Sequence, residues 1–136
     1  YLKVHEDWAL RAYDLHRDEQ GVFAEVAFGR ESAPTRLEGR GLGAVEAVSA
    51  ALEERFGFAI AVEAYDEFAL GEGTRANALA CIRLNAGGRH CSAAALAEDT
   101  TSATLQALFS AVAQAADESG EKGSGQENVT ERAISA

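Results

Sequence analysis

The sequence predicts an α+β fold in which one unit, three strands followed by a helix, occurs twice in two layers around a shared core. Three observations predict it. Short segments with alternating apolar residues come in threes, separated by Gly- or Pro-bearing turns. Each set of three is followed by a stretch whose apolar residues recur every three or four positions. The chain has 136 residues, 47% hydrophobic and 25% charged, which is the size and composition of one globular domain.

The segment from Trp8 to His16 carries Trp8, Leu10, Tyr13 and Leu15 and reads as a strand with an irregular start. After the turn residues Gln20-Gly21, the segment from Val22 to Phe28 alternates cleanly, with Val22, Ala24, Val26 and Phe28 on one face. Pro34 has no N–H for a sheet ladder and marks a loop, so Thr35 to Gly39 reads as a short third strand. A glycine cluster, Gly39-Arg40-Gly41-Leu42-Gly43, leads into a helix with the stripe Val45, Val48, Leu52 and Phe56. Gly57 is placed as its C-terminal stop.

The second unit repeats the pattern. Ala59 to Tyr65 reads as a strand, and Asn77 to Asn85 with Arg89 to Leu96 as a hairpin closed by the two-residue loop Gly87-Gly88. A second helix begins between Asp99 and Thr101, where Asp or Thr is a good N-cap, and carries the stripe Leu105, Leu108, Phe109 and Val112. After Ala116 the chain turns to Gly, Ser, Glu and Lys without periodicity. One domain over residues 1–117 is therefore expected, in halves of about 8–57 and 58–117, followed by a mobile tail over 118–136. Neither half covers its own sheet, so the halves are expected to share a core, and any sheet or helix faces left exposed favour a dimer.

The formal net charge of -10 repels a phosphate backbone, so nucleic acid is not an expected partner. No apolar run approaches the ~20 residues of a membrane span, so no membrane partner is expected either. The first residue is Tyr1 rather than Met, with no charged-then-apolar leader, so a piece of a longer chain without a signal peptide is expected. Hairpin pairing sets Leu84 opposite Cys91 and Cys81 opposite Ala94, so the two sulfurs point to opposite faces of the sheet. Two free thiols in a reducing, cytoplasmic compartment follow. Cys81, Cys91 and the scattered His5, His16 and His90 lack metal-ligand spacing, so no metal or cofactor is expected in this domain.

No catalytic apparatus is legible. The carboxylate pairs (Glu6-Asp7, Asp18-Glu19, Glu53-Glu54, Asp66-Glu67, Glu98-Asp99) are sequence neighbours that do not face each other on a helix or strand. There is no nucleophile-elbow context and no phosphate loop. Two features remain. The cluster Gly39, Gly41, Gly43 is either a tight strand-to-helix turn or an anion site, where helix N-terminal amides meet a negative charge. The stretch from Val62 to Ala78 begins as a strand and turns irregular. Its small residues Ala69, Ala76 and Ala78 either leave room for a small apolar ligand or let a loop pack over the sheet.

Three stretches in order, GRGLGAVEAV from Gly39, YDEFALGEGTRANALA from Tyr65 and ALAEDTTSATLQALFSAVAQA from Ala95, together resemble the C-terminal regulatory domain of the 2-isopropylmalate synthase family. The resemblance covers about residues 8–116. It implies an internally duplicated βββα fold that dimerises and binds leucine as a feedback inhibitor of the first step of leucine biosynthesis. It also implies a separate catalytic TIM barrel N-terminal to this domain, which uses a divalent metal to condense acetyl-CoA with 2-oxoisovalerate. The resemblance thus implies a fragment of an acyltransferase rather than a catalyst by itself. Carried over position by position, the turn amides fall at Gly41 and Gly43, and the apolar wall at Val45, Val62, Tyr65, Ala69 and Ala76. A backbone contact falls at Ala78, and the second helix turn near Ala97 and Glu98. The first turn reads Gly41-Leu42-Gly43-Ala44 where the family has Gly-Asn-Gly-Pro. The second reads Ala93-Ala94-Ala95 where the family has Gly-x-Gly, which implies an altered second half-site. The related citramalate synthases carry a similar domain that responds to isoleucine, and a ligand-free dimerisation module is a third reading.

Overall fold

A computed structural model of the chain describes residues 6–71 and 77–120. A 3-10 turn (Glu6–Trp8) leads into β1 (Leu10–Asp18), β2 (Gly21–Phe28) and β3 (Thr35–Gly41), followed by α1 (Ala44–Phe56). The second unit is β4 (Ile60–Ala69), β5 (Ala78–Ala86), β6 (Arg89–Ala97) and α2 (Thr100–Gly120). Each set of strands forms its own antiparallel sheet, in the orders β1-β2-β3 and β4-β5-β6. This is the βββα unit twice, as the periodicity predicts.

Register shows how closely the units repeat. Tyr13 pairs with Val26 and Val26 with Leu37; Tyr65 pairs with Ile82 and Ile82 with Ala93. The triplet Ala12-Tyr13-Asp14 of β1 recurs as Ala64-Tyr65-Asp66 of β4, and both strands shift register just before it. The last rows are Arg17–Val22–Gly41 and Ala69–Ala78–Ala97. Gly39 therefore matches Ala95, Gly41 matches Ala97, and Gly43 matches Asp99.

The units meet through their helix sides. On β2, Val22, Ala24, Val26 and Phe28 are buried, as are Ala78, Ala80, Ile82, Leu84 and Ala86 on β5. α2 lies on β5 and β6 with one side and meets β1 and α1 with the other. That is why residues from Ala103 to Val112 are buried all round, Ser110 excepted. Phe109 stacks on Phe28 across the units, with ring centroids 4.9 Å apart.

Element ends follow local chemistry. Gly57, at φ 80°, closes α1 and donates its N–H to the Glu53 carbonyl at 2.8 Å. The β5–β6 turn needs positive φ at both central residues, and Gly87 (61°) and Gly88 (89°) supply it. Cys81 pairs with Ala94 and Leu84 with Cys91, and no disulfide joins the two cysteines.

Several boundaries differ from expectation. β3 runs on to Gly41 and β4 to Ala69. Trp8 closes a 3-10 turn instead of starting a strand, because a residue distant in sequence holds it. Gln106 donates its Nε2–H to the Trp8 carbonyl at 3.3 Å and accepts the Leu10 N–H at 2.7 Å. α2 continues to Gly120, three residues into the segment expected to be a tail. Residues 121–136 lie outside the described residues, and the tail expectation with them. Among the described residues no helix is long and apolar enough to cross a membrane.

Candidate ligand site

The three glycines of the cluster have different surroundings. A Cβ placed at Gly39 would sit 2.2 Å from the Ala47 carbonyl oxygen and 2.7 Å from the Ala51 nitrogen. One at Gly41 would sit 2.6 Å from the Ala47 nitrogen. These two glycines let α1 lie directly on β3. Gly43 is different. It is the N-cap of α1 in extended conformation, and a Cβ there would meet only the Glu46 carboxylate, at 2.7 Å.

The two helices begin in contrasting ways. No side chain caps α1 at Gly43, and the first intrahelical bond runs from Ala47 N–H to the Gly43 carbonyl at 2.9 Å. The amides of Ala44, Val45 and Glu46 are those a helix cannot satisfy internally. At the matched position of the second unit stands Asp99, whose carboxylate accepts the Ser102 N–H at 2.7 Å. The second helix thus carries its own anion where the first has backbone alone.

The remaining expected residues divide between two places. Val45 is buried in the first turns of α1, behind Gly41 and Gly43. Val62, Tyr65 and Ala69 lie along β4, an edge strand; Val62 is half-buried, Tyr65 is 45% exposed and Ala69 is exposed. Ala69, Ala78 and Ala97 form one cross-strand row at the end of that sheet, with Ala78 buried and Ala97 half-buried. Glu98 is exposed in the turn into α2. Ala76 lies outside the described residues.

A cleft of about 390 Å³ opens between the units, lined by Leu10 and Tyr13 of β1, Leu96 and Ala97 of β6, and Ser102 and Gln106 of α2. That is within the range of small-molecule sites, roughly 300–1,000 Å³. The Tyr13 and Ser102 hydroxyls share a hydrogen bond of 2.8 Å across it. The internal repeat matches these positions to Val62, Tyr65, Arg40, Gly41, Glu46 and Ala50, three of which are expected site residues. Glu46, the match of Ser102, was not among those residues. The signal for it was available: an acidic residue in the first turn of the helix behind the glycine cluster.

At the rim of the glycine turn, Asp18 accepts the Gln20 N–H at 2.8 Å and bridges Arg40 at 3.1 Å. Those contacts, the backbone N–H first and the guanidinium second, hold its carboxyl below the ordinary value. Among the described residues no three His, Cys, Asp or Glu side chains converge as a metal site.

The family model described as the LeuA allosteric (dimerisation) domain matches residues 2–116. The chain belongs to that family. It is 47% identical over 113 residues to a 2-isopropylmalate synthase of Alcanivorax borkumensis, an alignment covering 82% of this chain and 20% of that protein. The 2-isopropylmalate synthases of Pseudomonas putida strain W619 and Pseudomonas fluorescens are 36% and 34% identical, with the same coverage of each chain. The chain thus spans about one-fifth of the length of the curated relatives it matches. The duplicated βββα architecture accords with a LeuA dimerisation domain, the regulatory domain of a 2-isopropylmalate synthase.

Proposed function

We propose that this domain binds leucine, that two copies assemble, and that leucine binding restrains a catalytic domain lying elsewhere in a longer 2-isopropylmalate synthase. The observation that carries the ligand reading is the contrast between the helix starts. α2 holds the Asp99 carboxylate on one first-turn amide, that of Ser102, and α1 presents its first-turn amides behind Gly43 with no side-chain cap. The carboxylate of a free amino acid takes at α1 the role that Asp99 has at α2.

The other groups of the ligand have counterparts nearby. Its ammonium needs a negative partner on leaving water, and the Glu46 carboxylate sits beside Gly43. By the internal repeat, Tyr65 holds in β4 the position that Tyr13, bonded to Ser102 in the first turn of α2, holds in β1. The half-covered Val62 and Tyr65 then form the wall for an isobutyl group, whose burial is worth roughly 1.5–3 kcal/mol. Valine, one methylene shorter, binds more weakly by ~1–3 kcal/mol. Asp99 already fills the matched place, which supports one open site per chain.

Calorimetry with leucine, isoleucine and valine tests this. Leucine gives the strongest heat, E46Q weakens it at least about tenfold, and D99A leaves it unchanged while lowering stability by about 1 kcal/mol. Tighter binding of isoleucine would move the domain to the citramalate-synthase type. Silence from all three amino acids at millimolar concentration overturns the sensor reading. One observation favours a ligand-free dimerisation module: the space at Gly39 and Gly41 is taken by α1 itself. That reading requires a melting temperature that ignores every branched amino acid.

A further inference from the structure

The two sheets present matched positions to solvent on the side away from the helices, and the chemistry of those positions differs. On the first sheet the rows are His16–Phe23–Arg40 and Asp14–Glu25–Glu38. Arg40 lies over the Phe23 ring and bridges Asp18, so that surface suits water. At the same positions the second sheet carries Phe68–Leu79–Leu96 and Asp66–Cys81–Ala94. Phe68 and Leu96 are 49% and 48% exposed. Beside this ridge runs a groove of about 370 Å³ floored by small residues, Ala64, Cys81 and Ala94, with Asp66 and Arg83 also on its lining. Single exposed apolar residues are ordinary, but a ridge crossing all three strands next to a trough is a patch.

We infer that the outer face of β4–β5–β6 is where two copies of this chain meet, the ridge of each seated in the trough of the other. This rests on the proposal that the domain dimerises. The occupant is a second copy because the surface complements itself. Ridge and trough are adjacent rows, two residues apart on each strand. A two-fold axis lying in the interface, across the strands and between the rows, brings Leu79 over the second copy's Cys81, Leu96 over its Ala94 and Phe68 over its Asp66 at the edge. The operation also returns the reciprocal contacts. Sheets stacked this way lie about 10 Å apart, with large side chains of one over small ones of the other. Charge selects the same face. Two copies of net charge -10 repel, so contact is cheapest where charge is sparsest. The two rows of the second sheet hold one charged residue, Asp66; the matched rows of the first hold Asp14, Glu25, Glu38 and Arg40.

Sedimentation velocity of the whole chain over a concentration series, with thiol labelling of Cys81, tests the assignment. Phe68→Glu and Leu96→Glu weaken self-association at least about tenfold with an unchanged circular dichroism spectrum. Glu38→Lys, at the matched place on the first sheet, does not weaken it. Cys81 becomes protected from maleimide as wild type dimerises and stays reactive in Phe68→Glu. If either glutamate variant fails to fold, Leu96→Ser carries the same expectation. A dimer untouched by these changes, or Cys81 labelling at equal rates in monomer and dimer, overturns this face while leaving dimerisation intact. A wild-type chain that stays monomeric throughout removes both.

Discussion

Replacing Gly39 by alanine tests whether the glycine cluster is first of all a packing device. The new Cβ would lie 2.2 Å from the Ala47 carbonyl oxygen, 2.7 Å from the Ala51 nitrogen and 2.9 Å from the Ala51 Cβ. Two of these are helix backbone and cannot swing aside as a side-chain tip can. Ordinary contact begins near 3.4 Å, so α1 must retreat from β3 by about 1 Å. A gap of that size forfeits a quarter to a half of the dispersion energy of each contact across it. The contacts at stake involve Ala47, Val48, Ala51 and Leu52, all 3% exposed or less. Overpacking of this kind costs roughly 1–3 kcal/mol, and the lost freedom of glycine in the unfolded chain returns about 0.4–1. A net loss of about 1–2 kcal/mol is expected, lowering the melting temperature by roughly 4 °C for each kcal/mol in a domain of this size. Urea titration and thermal melts followed by circular dichroism measure it. Gly57→Ala is the comparison: nothing lies within 4 Å of its Cβ, and its cost arises only from φ +80°. A Gly39→Ala protein as stable as wild type would refute the close packing of α1 on β3.

Two other outcomes follow from the same contacts. Phe109→Ala removes a ring with no exposed surface that stacks on Phe28 between the units, and should cost about 3–5 kcal/mol, loosening both halves in one transition. Separate melting of the halves would contradict a shared core. Asp18 has a folded-state pKa below its ordinary value of 3.8, so the folded chain holds its proton less tightly than the unfolded chain does. Its contribution is therefore present above pH 3.8 and lost as pH falls through the lower folded value. The stability difference between wild type and Asp18→Asn should shrink below pH 4, and a difference that grows there would contradict the bonds from Gln20 and Arg40.

The leucine reading and the dimer face are separable in experiment because they occupy different surfaces. The first depends on the start of α1 and the helix side of β4, the second on the opposite side of the second sheet. Regulation needs coupling between the ligand and a distant catalytic site. Gln106 is one place where the inter-unit cleft touches the backbone at the N-terminal end of the domain, through Trp8 and Leu10.

What the sequence determined by itself was local. Alternation places Val22 to Phe28 on one face, Gly87-Gly88 sets the hairpin register and separates Cys81 from Cys91, and Gly57 ends α1. Each of these depends on φ, ψ and side-chain direction within a few residues. Tertiary structure decided what approaches each position from far along the chain. A glycine's spacing announces freedom of approach without naming the visitor, so only the fold reveals that α1 presses its backbone on Gly39 and Gly41 and meets Gly43 only through the Glu46 side chain. In the same way Gln106 bends Trp8 out of a strand from nearly a hundred residues away. The repeat makes Tyr13 and Tyr65 equivalent in sequence, yet Tyr13 is paired to Ser102 and Tyr65 stays half in water, because burial belongs to the neighbours a residue acquires when the two units close on each other.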